Sequence, residues 1–120
     1  HDTERVSTLL PERNARRAAA FLQFALPGSP VIYYGDEAGL QGGRDPMNRL
    51  PFPWGREDRE LQALYRELAA IKKANPALRK GNIRFLEAGG GLLRFRRACP
   101  EQTVECAVSA ADGRFRVTEI

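Results

Sequence analysis

This sequence is poor in the features that mark several large classes of protein. Its 120 residues include two cysteines, too few for the framework of a small disulfide-stapled secreted domain or for a metal site, which needs about four ligands. No apolar run approaches the roughly 20 residues of a membrane-spanning helix. No signal peptide precedes the first residues, but the chain starts at His1 rather than Met, so that absence decides nothing. We expect neither a bound metal nor a membrane partner.

A strong surplus of one charge sign is also missing. Lysine and arginine number 19 and aspartate and glutamate 15, and most of the basic residues stand beside acidic ones. A surface that binds nucleic acid needs a contiguous basic face, usually with stacking aromatics. We therefore expect ordinary solvated faces and no nucleic-acid partner. The composition, 42% hydrophobic and 28% charged, is typical of a globular domain.

The two cysteines, Cys99 and Cys106, leave two interpretations open. If a tight hairpin joins them, they could face one another and form a disulfide. The interpretation that we favour is two reduced thiols, as in proteins of the cytoplasm. We therefore expect a cytoplasmic location.

The most informative stretch is residues 27–37, PGSPVIYYGDE. Its apolar run Val31–Tyr34 lies between a Pro/Gly/Ser/Pro break and Gly35, which predicts a strand buried on both faces. Two carboxylates, Asp36 and Glu37, follow at the carboxyl end of this strand, where α/β folds bind their ligands.

Helical patterns surround this stretch and a β pattern follows them. One helix is predicted to begin near residues 9–12 and to end at Pro27, and a second is capped by Glu57 and Asp58 and stops at Asn75-Pro76. From Gly81 the apolar period changes from 3.6 to about 2. Four short strands are predicted at 83–86, 92–96, 104–108 and 114–117, with a boundary between helical and β parts near 76–82.

Residues 39–55 are rich in glycine and proline and predict a long loop. The loop carries Asp45, Arg49 and the aromatic residues Phe52 and Trp54. Long loops inside compact domains are more often functional than incidental, and polar groups beside aromatic surfaces suit a sugar-binding lip. The alternative is a rigid surface loop anchored by its tryptophan.

Three segments together resemble the alpha-amylase family of glycoside hydrolases: His1-Asp2, PGSPVIYYGDE and NPALRKG. A fourth, GGRDPMNRLPFPW, resembles a loop of the neopullulanase, cyclomaltodextrinase and maltogenic amylase branch. The resemblance implies an α/β fold. Residues 1–78 would be the C-terminal part of a (β/α)8 TIM barrel, from the end of strand 7 through helix 8. Residues 79–120 would be a short, truncated or divergent antiparallel β domain.

The resemblance also implies roles for four residues. Asp2 matches the family's third catalytic carboxylate, which holds the 2- and 3-hydroxyls of the sugar at the cleavage point and stabilises the transition state. His1 matches a histidine that hydrogen-bonds the same sugar, and Asp45 and Arg49 match a pair that binds neighbouring glucose units. The alternatives are a turn residue for Asp2 and an i,i+4 ion pair for Asp45 and Arg49, the latter compatible with sugar binding. No cofactor or metal is implied, and homodimers are common in this branch.

In that family the nucleophile and the acid/base carboxyl come from earlier barrel strands, so we expect this chain to be a fragment. The expected parent is a retaining α-glucan hydrolase or transglycosylase that acts on maltodextrins, cyclodextrins or pullulan. The 120 residues alone are expected to be inactive. The alternative function is a non-catalytic glucan-binding or structural module, in which Trp54, Phe52, Tyr33 and Tyr34 offer stacking platforms to sugar rings.

Overall fold

Helices come first along the chain and strands last, as the sequence predicts. The structure is a computed structural model that describes all of residues 1–120. Its helices are α1 (Val6–Leu9), α2 (Arg13–Ala25), α3 (Arg59–Ala74) and α4 (Pro76–Lys80), with 3₁₀ turns at Asp36–Ala38 and Met47–Arg49. Its strands are β1 (Asn82–Gly89), β2 (Leu92–Cys99), β3 (Gln102–Ser109) and β4 (Phe115–Glu119). None of the helices is long and apolar enough to cross a membrane.

The two long helices follow the predicted pattern. Asp58 caps α3 by accepting a hydrogen bond of 3.0 Å from the backbone N–H of Leu61. The α3 stripe around Leu64 and Leu68 is buried against the inner face of α2. The first predicted helix corresponds to α2, which begins at Arg13, just after the expected start near residues 9–12. The short helix α1 was not predicted, and Pro11, which has no N–H to continue a helical ladder, lies between the two helices.

Residues 31–34 form no strand, so the predicted strand buried on both faces is wrong for this chain. Val31 is 80% exposed, and Ile32 and Tyr34 are exposed as well. A parallel strand depends on neighbours for its hydrogen bonds and for cover on both faces. The sheet of this chain is the four-stranded antiparallel one formed by β1 to β4. No parallel neighbour is therefore present for residues 31–34.

The predicted strands are confirmed and form an antiparallel meander in the order β1-β2-β3-β4. One face of the sheet packs on the helices, with Phe95 and Val104 completely buried and Phe115 stacked on Phe21 at 4.7 Å between ring centroids. The register pairs Cys99 with Gln102 and Cys106 with Phe95. Because the two thiols therefore lie at different levels of the hairpin, the disulfide interpretation is wrong and both cysteines are free.

Two cations fasten the helices to the sheet at the C-terminal end of α2. Arg97 of β2 donates to the backbone carbonyls of Ala25, Gly81 and Asn82 at 2.5, 2.9 and 3.0 Å. Lys72 of α3 donates to the carbonyls of Phe24 and Leu78 at 2.9 and 3.0 Å. The last carbonyls of a helix have no partner within the helix, and the helix dipole favours positive charge there. These contacts fix the helices relative to the β part.

Candidate active site

The first five residues fold back on the 41–50 loop, and Arg5 is the anchor. Its backbone N–H donates to the Gly42 carbonyl at 2.9 Å, and its Nε donates to the carbonyl of Asn48 at 2.9 Å. The guanidinium carbon lies 4.0 Å from the ring centroid of Tyr33 and 4.4 Å from that of Tyr34. Cation–π contacts of this kind are strongest when the cation is desolvated, and Arg5 is buried.

Asp36 forms an ion pair with Arg5. Its Oδ1 lies 3.1 Å from Nη1 of Arg5. Burial raises the pKa of Asp36, although the hydrogen bond and the charge of Arg5 act in the opposite direction. Glu37 accepts a hydrogen bond from the Gly35 N–H at 3.1 Å. Both carboxylates of the YYGDE segment are thus turned into the loop that follows Tyr34.

The four residues singled out by the resemblance lie together at the surface. Arg49 Nε is 3.1 Å from Asp45 Oδ1, and Arg49 Nη2 is 3.9 Å from Asp2 Oδ1. His1 Nε2 is 3.3 Å from the same Oδ1 of Asp2, and Arg49 Nη2 donates to the His1 carbonyl at 3.4 Å. The i,i+4 ion pair of Asp45 and Arg49 is therefore present. Arg49 lies between two carboxylates that are 43 residues apart in the chain (45 − 2).

This cluster is open to solvent. The Asp2 side chain is 81% exposed, and the side chains of His1, Asp45 and Arg49 are also exposed. Ionised carboxylates are acceptors only, and a guanidinium is a donor only. The cluster thus offers acceptors and donors side by side, which is the complement of a polyhydroxylated ligand. The structure holds no group of three or more His, Cys, Asp or Glu side chains placed to bind a metal ion.

Two aromatic residues that follow Arg49 on the same loop, Phe52 and Trp54, form an aromatic ledge. Trp54 is 79% exposed, and its ring centroid lies 4.5 Å from that of Phe52. The hydroxyl of Tyr34 donates to the Leu50 carbonyl at 2.8 Å and so ties the loop to residues 31–34. Flat apolar rings next to hydroxyl-binding groups are the two elements that a sugar ring needs.

Two residues of the site escaped prediction. Asn48 lies between Asp45 and Arg49 and is completely buried, and its Nδ2 donates to the carbonyls of His1 and Thr3 at 2.9 and 2.7 Å. Arg5 has no sequence signal that separates it from the other dispersed arginines. Asn48 contacts residues 47 and 45 positions away, and Arg5 contacts Asp36 and Asn48, 31 and 43 positions away. A local sequence pattern does not report contacts over such separations.

Comparison with known proteins gives consistent matches over most of the chain. Residues 1–60 match the family model of the alpha amylase catalytic domain. Amylopullulanase of Thermoanaerobacter thermohydrosulfuricus is 41% identical over 113 residues, which cover 81% of this chain and 8% of that protein. Cyclomaltodextrinase of a Bacillus species is 40% identical over 91 residues, which cover 73% of this chain and 16% of that protein.

Solved structures agree with these relatives. The maltogenic amylase of S. marinus superposes with a TM-score of 0.85 at 38% identity, over 92% of this chain and 16% of that one. The debranching enzyme of Nostoc punctiforme does so with a TM-score of 0.85 at 37% identity, over 92% of this chain and 23% of that one. The chain thus spans a small part of each of these proteins.

Proposed function

The chain belongs to the alpha-amylase family of glycoside hydrolases, and on that basis we propose that it is the C-terminal part of a retaining enzyme that hydrolyses or transfers α-glucan chains. The observation that carries the proposal is the cluster of His1, Asp2, Asp45 and Arg49 at the surface. The substrates proposed are maltodextrins, cyclodextrins or pullulan.

In this proposal Asp2 stabilises the transition state. Glycosidic cleavage builds oxocarbenium character at the sugar, and the sugar hydroxyls become better hydrogen-bond donors as it develops. An exposed, ionised carboxylate that accepts from the 2- and 3-hydroxyls therefore binds the transition state more tightly than the ground state. His1 hydrogen-bonds the same sugar, and its ring contact with Asp2 keeps the two groups side by side.

Asp45 and Arg49 hold the glucose units next to the cleavage point. The 3.1 Å ion pair fixes the guanidinium edge of Arg49, so that its remaining N–H groups point in defined directions. Sugar hydroxyls accept from these N–H groups and donate to the free carboxylate oxygens. Binding energy gained there is available to orient the bond that is cleaved.

Retaining cleavage also needs a nucleophilic carboxylate and an acid/base carboxyl about 5–5.5 Å apart. We assign neither role to a residue of this chain, and we place both on other strands of a barrel. The 120-residue chain by itself is therefore expected to have no turnover.

The test is a chimera in which this chain replaces the matching segment of the Bacillus cyclomaltodextrinase. The chimera should hydrolyse cyclodextrin, while the purified 120-residue chain should release no sugar from maltotriose. A folded chimera without turnover, or turnover by the chain alone with contamination excluded, would contradict the proposal. Chimera folding is checked by a cooperative urea transition.

The exposed aromatic ledge favours a second candidate, a non-catalytic glucan-binding module. In that case the isolated chain should bind maltoheptaose with quenching of Trp54 fluorescence, and the folded chimera should bind but not cleave. The matched variant is Trp54→Ala, which removes a ring that is 79% exposed and should lose binding. Because Trp54 is the only tryptophan, binding by this variant is measured by isothermal titration calorimetry. Cleavage by the chimera decides for the enzyme.

A further inference from the structure

The carbonyls on both sides of Asp2 are bound by one buried amide. Asn48 is 0% exposed. Both protons of its Nδ2 are used, one on the His1 carbonyl at 2.9 Å and one on the Thr3 carbonyl at 2.7 Å. With two carbonyl oxygens as neighbours, the atom at this position is the nitrogen and not the oxygen of the amide, because only the nitrogen donates.

We propose that Asn48 is the positioning residue for Asp2, a role that rests on the function proposed above. The hydrogen bond to the His1 carbonyl fixes the peptide plane between His1 and Asp2, and the hydrogen bond to the Thr3 carbonyl fixes the plane between Thr3 and Glu4. The backbone of Asp2 is thus held from both sides, which restricts the direction of its Cα–Cβ bond. The exposed carboxylate is then left with side-chain rotation only, and Arg49 lies 3.9 Å from one of its oxygens.

Asn48 is itself held in place by a second layer. Its backbone carbonyl accepts from Nε of the buried Arg5 at 2.9 Å. Arg5 in turn is held by the Tyr33 and Tyr34 rings and by Asp36. The chain of contacts therefore runs from the YYGDE segment through Arg5 and Asn48 to Asp2.

This arrangement couples Asp2 to the pair formed by Asp45 and Arg49. Asn48 lies in the same 3₁₀ turn as Arg49, Met47–Arg49. A sugar that binds Arg49 therefore contacts the same turn that holds the backbone on both sides of Asp2. The amide cannot be replaced by a carboxylate of the same shape, because Asp at this position would place an oxygen against two carbonyl oxygens.

The first test uses the 120-residue chain and nuclear spin relaxation of its backbone amides. In the wild type the amides of Asp2 and Thr3 should have order parameters of about 0.8, and in Asn48→Asp they should fall below about 0.6. Asn14→Asp is the matched control, because Asn14 is exposed and donates one hydrogen bond to the distant Ala111 carbonyl at 3.1 Å. Its order parameters at Asp2 and Thr3 should equal those of the wild type.

Asn48→Ser is the second variant, since it removes the amide donors without adding a charge and should loosen the same two amides. Unchanged α3 amide signals establish in each variant that the chain is folded. Wild-type order parameters already below about 0.6 at Asp2 and Thr3, or values unchanged in a folded Asn48 variant, would overturn the proposal.

The second test is a double-mutant cycle in the chimera described above. Asn48→Asp should lower kcat by about 10- to 100-fold with KM within about threefold, as expected when a catalytic group is misplaced by an ångström. In an Asp2→Asn background the same change should lower kcat by less than about twofold, because its effect passes through Asp2. Equal losses in both backgrounds would show that Asn48 acts elsewhere and would overturn the proposal. If Asp2→Asn alone leaves kcat unchanged, the proposed function fails, while the relaxation experiment still decides whether Asn48 orders Asp2.

Discussion

Replacement of Arg97 by methionine should destabilise the chain strongly, although Arg97 forms no ion pair with a carboxylate. The residue is 1% exposed, and its three hydrogen bonds go to backbone carbonyls of Ala25, Gly81 and Asn82. Burial lowers the pKa of Arg97 from its ordinary value. Arg97 therefore contributes to stability through the backbone segments that its hydrogen bonds join.

The size of the destabilisation follows from the carbonyl groups that lose their hydrogen-bond donor in Arg97→Met. Methionine fills similar space but donates nothing, so three carbonyls at the junction of α2 and β1 lose their partner. The contact with Ala25 is buried and those with Gly81 and Asn82 are partly buried, so a carbonyl left unsatisfied costs about 1–3 kcal/mol at Ala25 and less at the other two. We expect a loss of about 2–4 kcal/mol in the free energy of unfolding, after the removal of the desolvated guanidinium offsets part of this sum. A chain of this size has about 5–15 kcal/mol in total.

The assay is urea unfolding followed by circular dichroism, with the midpoint converted to a free energy through the denaturant slope. Arg96→Met is the matched control, because Arg96 is the neighbouring residue of β2 and is exposed on the opposite face. The control should lose less than about 0.5 kcal/mol. If Arg97→Met and Arg96→Met unfold at the same urea concentration, the three carbonyl contacts do not stabilise the chain and the reasoning is refuted.

Two further predictions concern the site loop and alkaline stability. Gly42→Ala should lower the free energy of unfolding by about 1–3 kcal/mol in urea, because a Cβ on Gly42 would lie 2.3 Å from the Met47 carbonyl oxygen. Gly43→Ala, where a Cβ meets nothing within 4 Å, should be neutral, and equal effects would contradict this account of the loop. Burial raises the pKa of the Cys106 thiol from its ordinary value to about 11, so the folded state keeps the thiol proton at a pH where the unfolded state loses it. Stability is therefore fully present below pH about 9 and falls by roughly 2–3 kcal/mol up to pH about 11. Cys106→Val should remove that part of the pH dependence of the urea midpoint, and an unchanged slope would refute it.

The parts of the fold that were predicted are those set by nearby residues. Helix α3 needed only the Asp58 cap and an apolar stripe of period 3.6, and the four strands needed only a period near 2 with glycine turns. The 31–34 strand was predicted wrongly because a parallel strand is made by its neighbours, and neighbours are not a local property. The sequence left a pairing of Cys99 with Cys106 open beside the favoured interpretation of two free thiols for a related reason, since hairpin register decides which residues face one another.

In the site, too, some residues could be predicted from the sequence and others could not. Resemblance to a family singled out His1, Asp2, Asp45 and Arg49, and the structure brings these four side chains together. It did not single out Asn48, whose contacts with His1 and Thr3 span 47 and 45 residues of chain. In the proposed role Asn48 binds two backbone carbonyls and does not contact the substrate. A motif defined by sugar-binding residues therefore does not single it out.

The most direct test of the central claim is the kinetics of Asp2→Asn in the cyclomaltodextrinase chimera. Asparagine keeps the size of the side chain but removes the negative charge that accepts from the sugar hydroxyls. The account predicts that kcat falls by about three orders of magnitude while KM changes by less than about threefold, the pattern of a contact made in the transition state. A kcat within about twofold of the parent chimera, or a loss confined to KM, would contradict the assignment of Asp2 to the reaction.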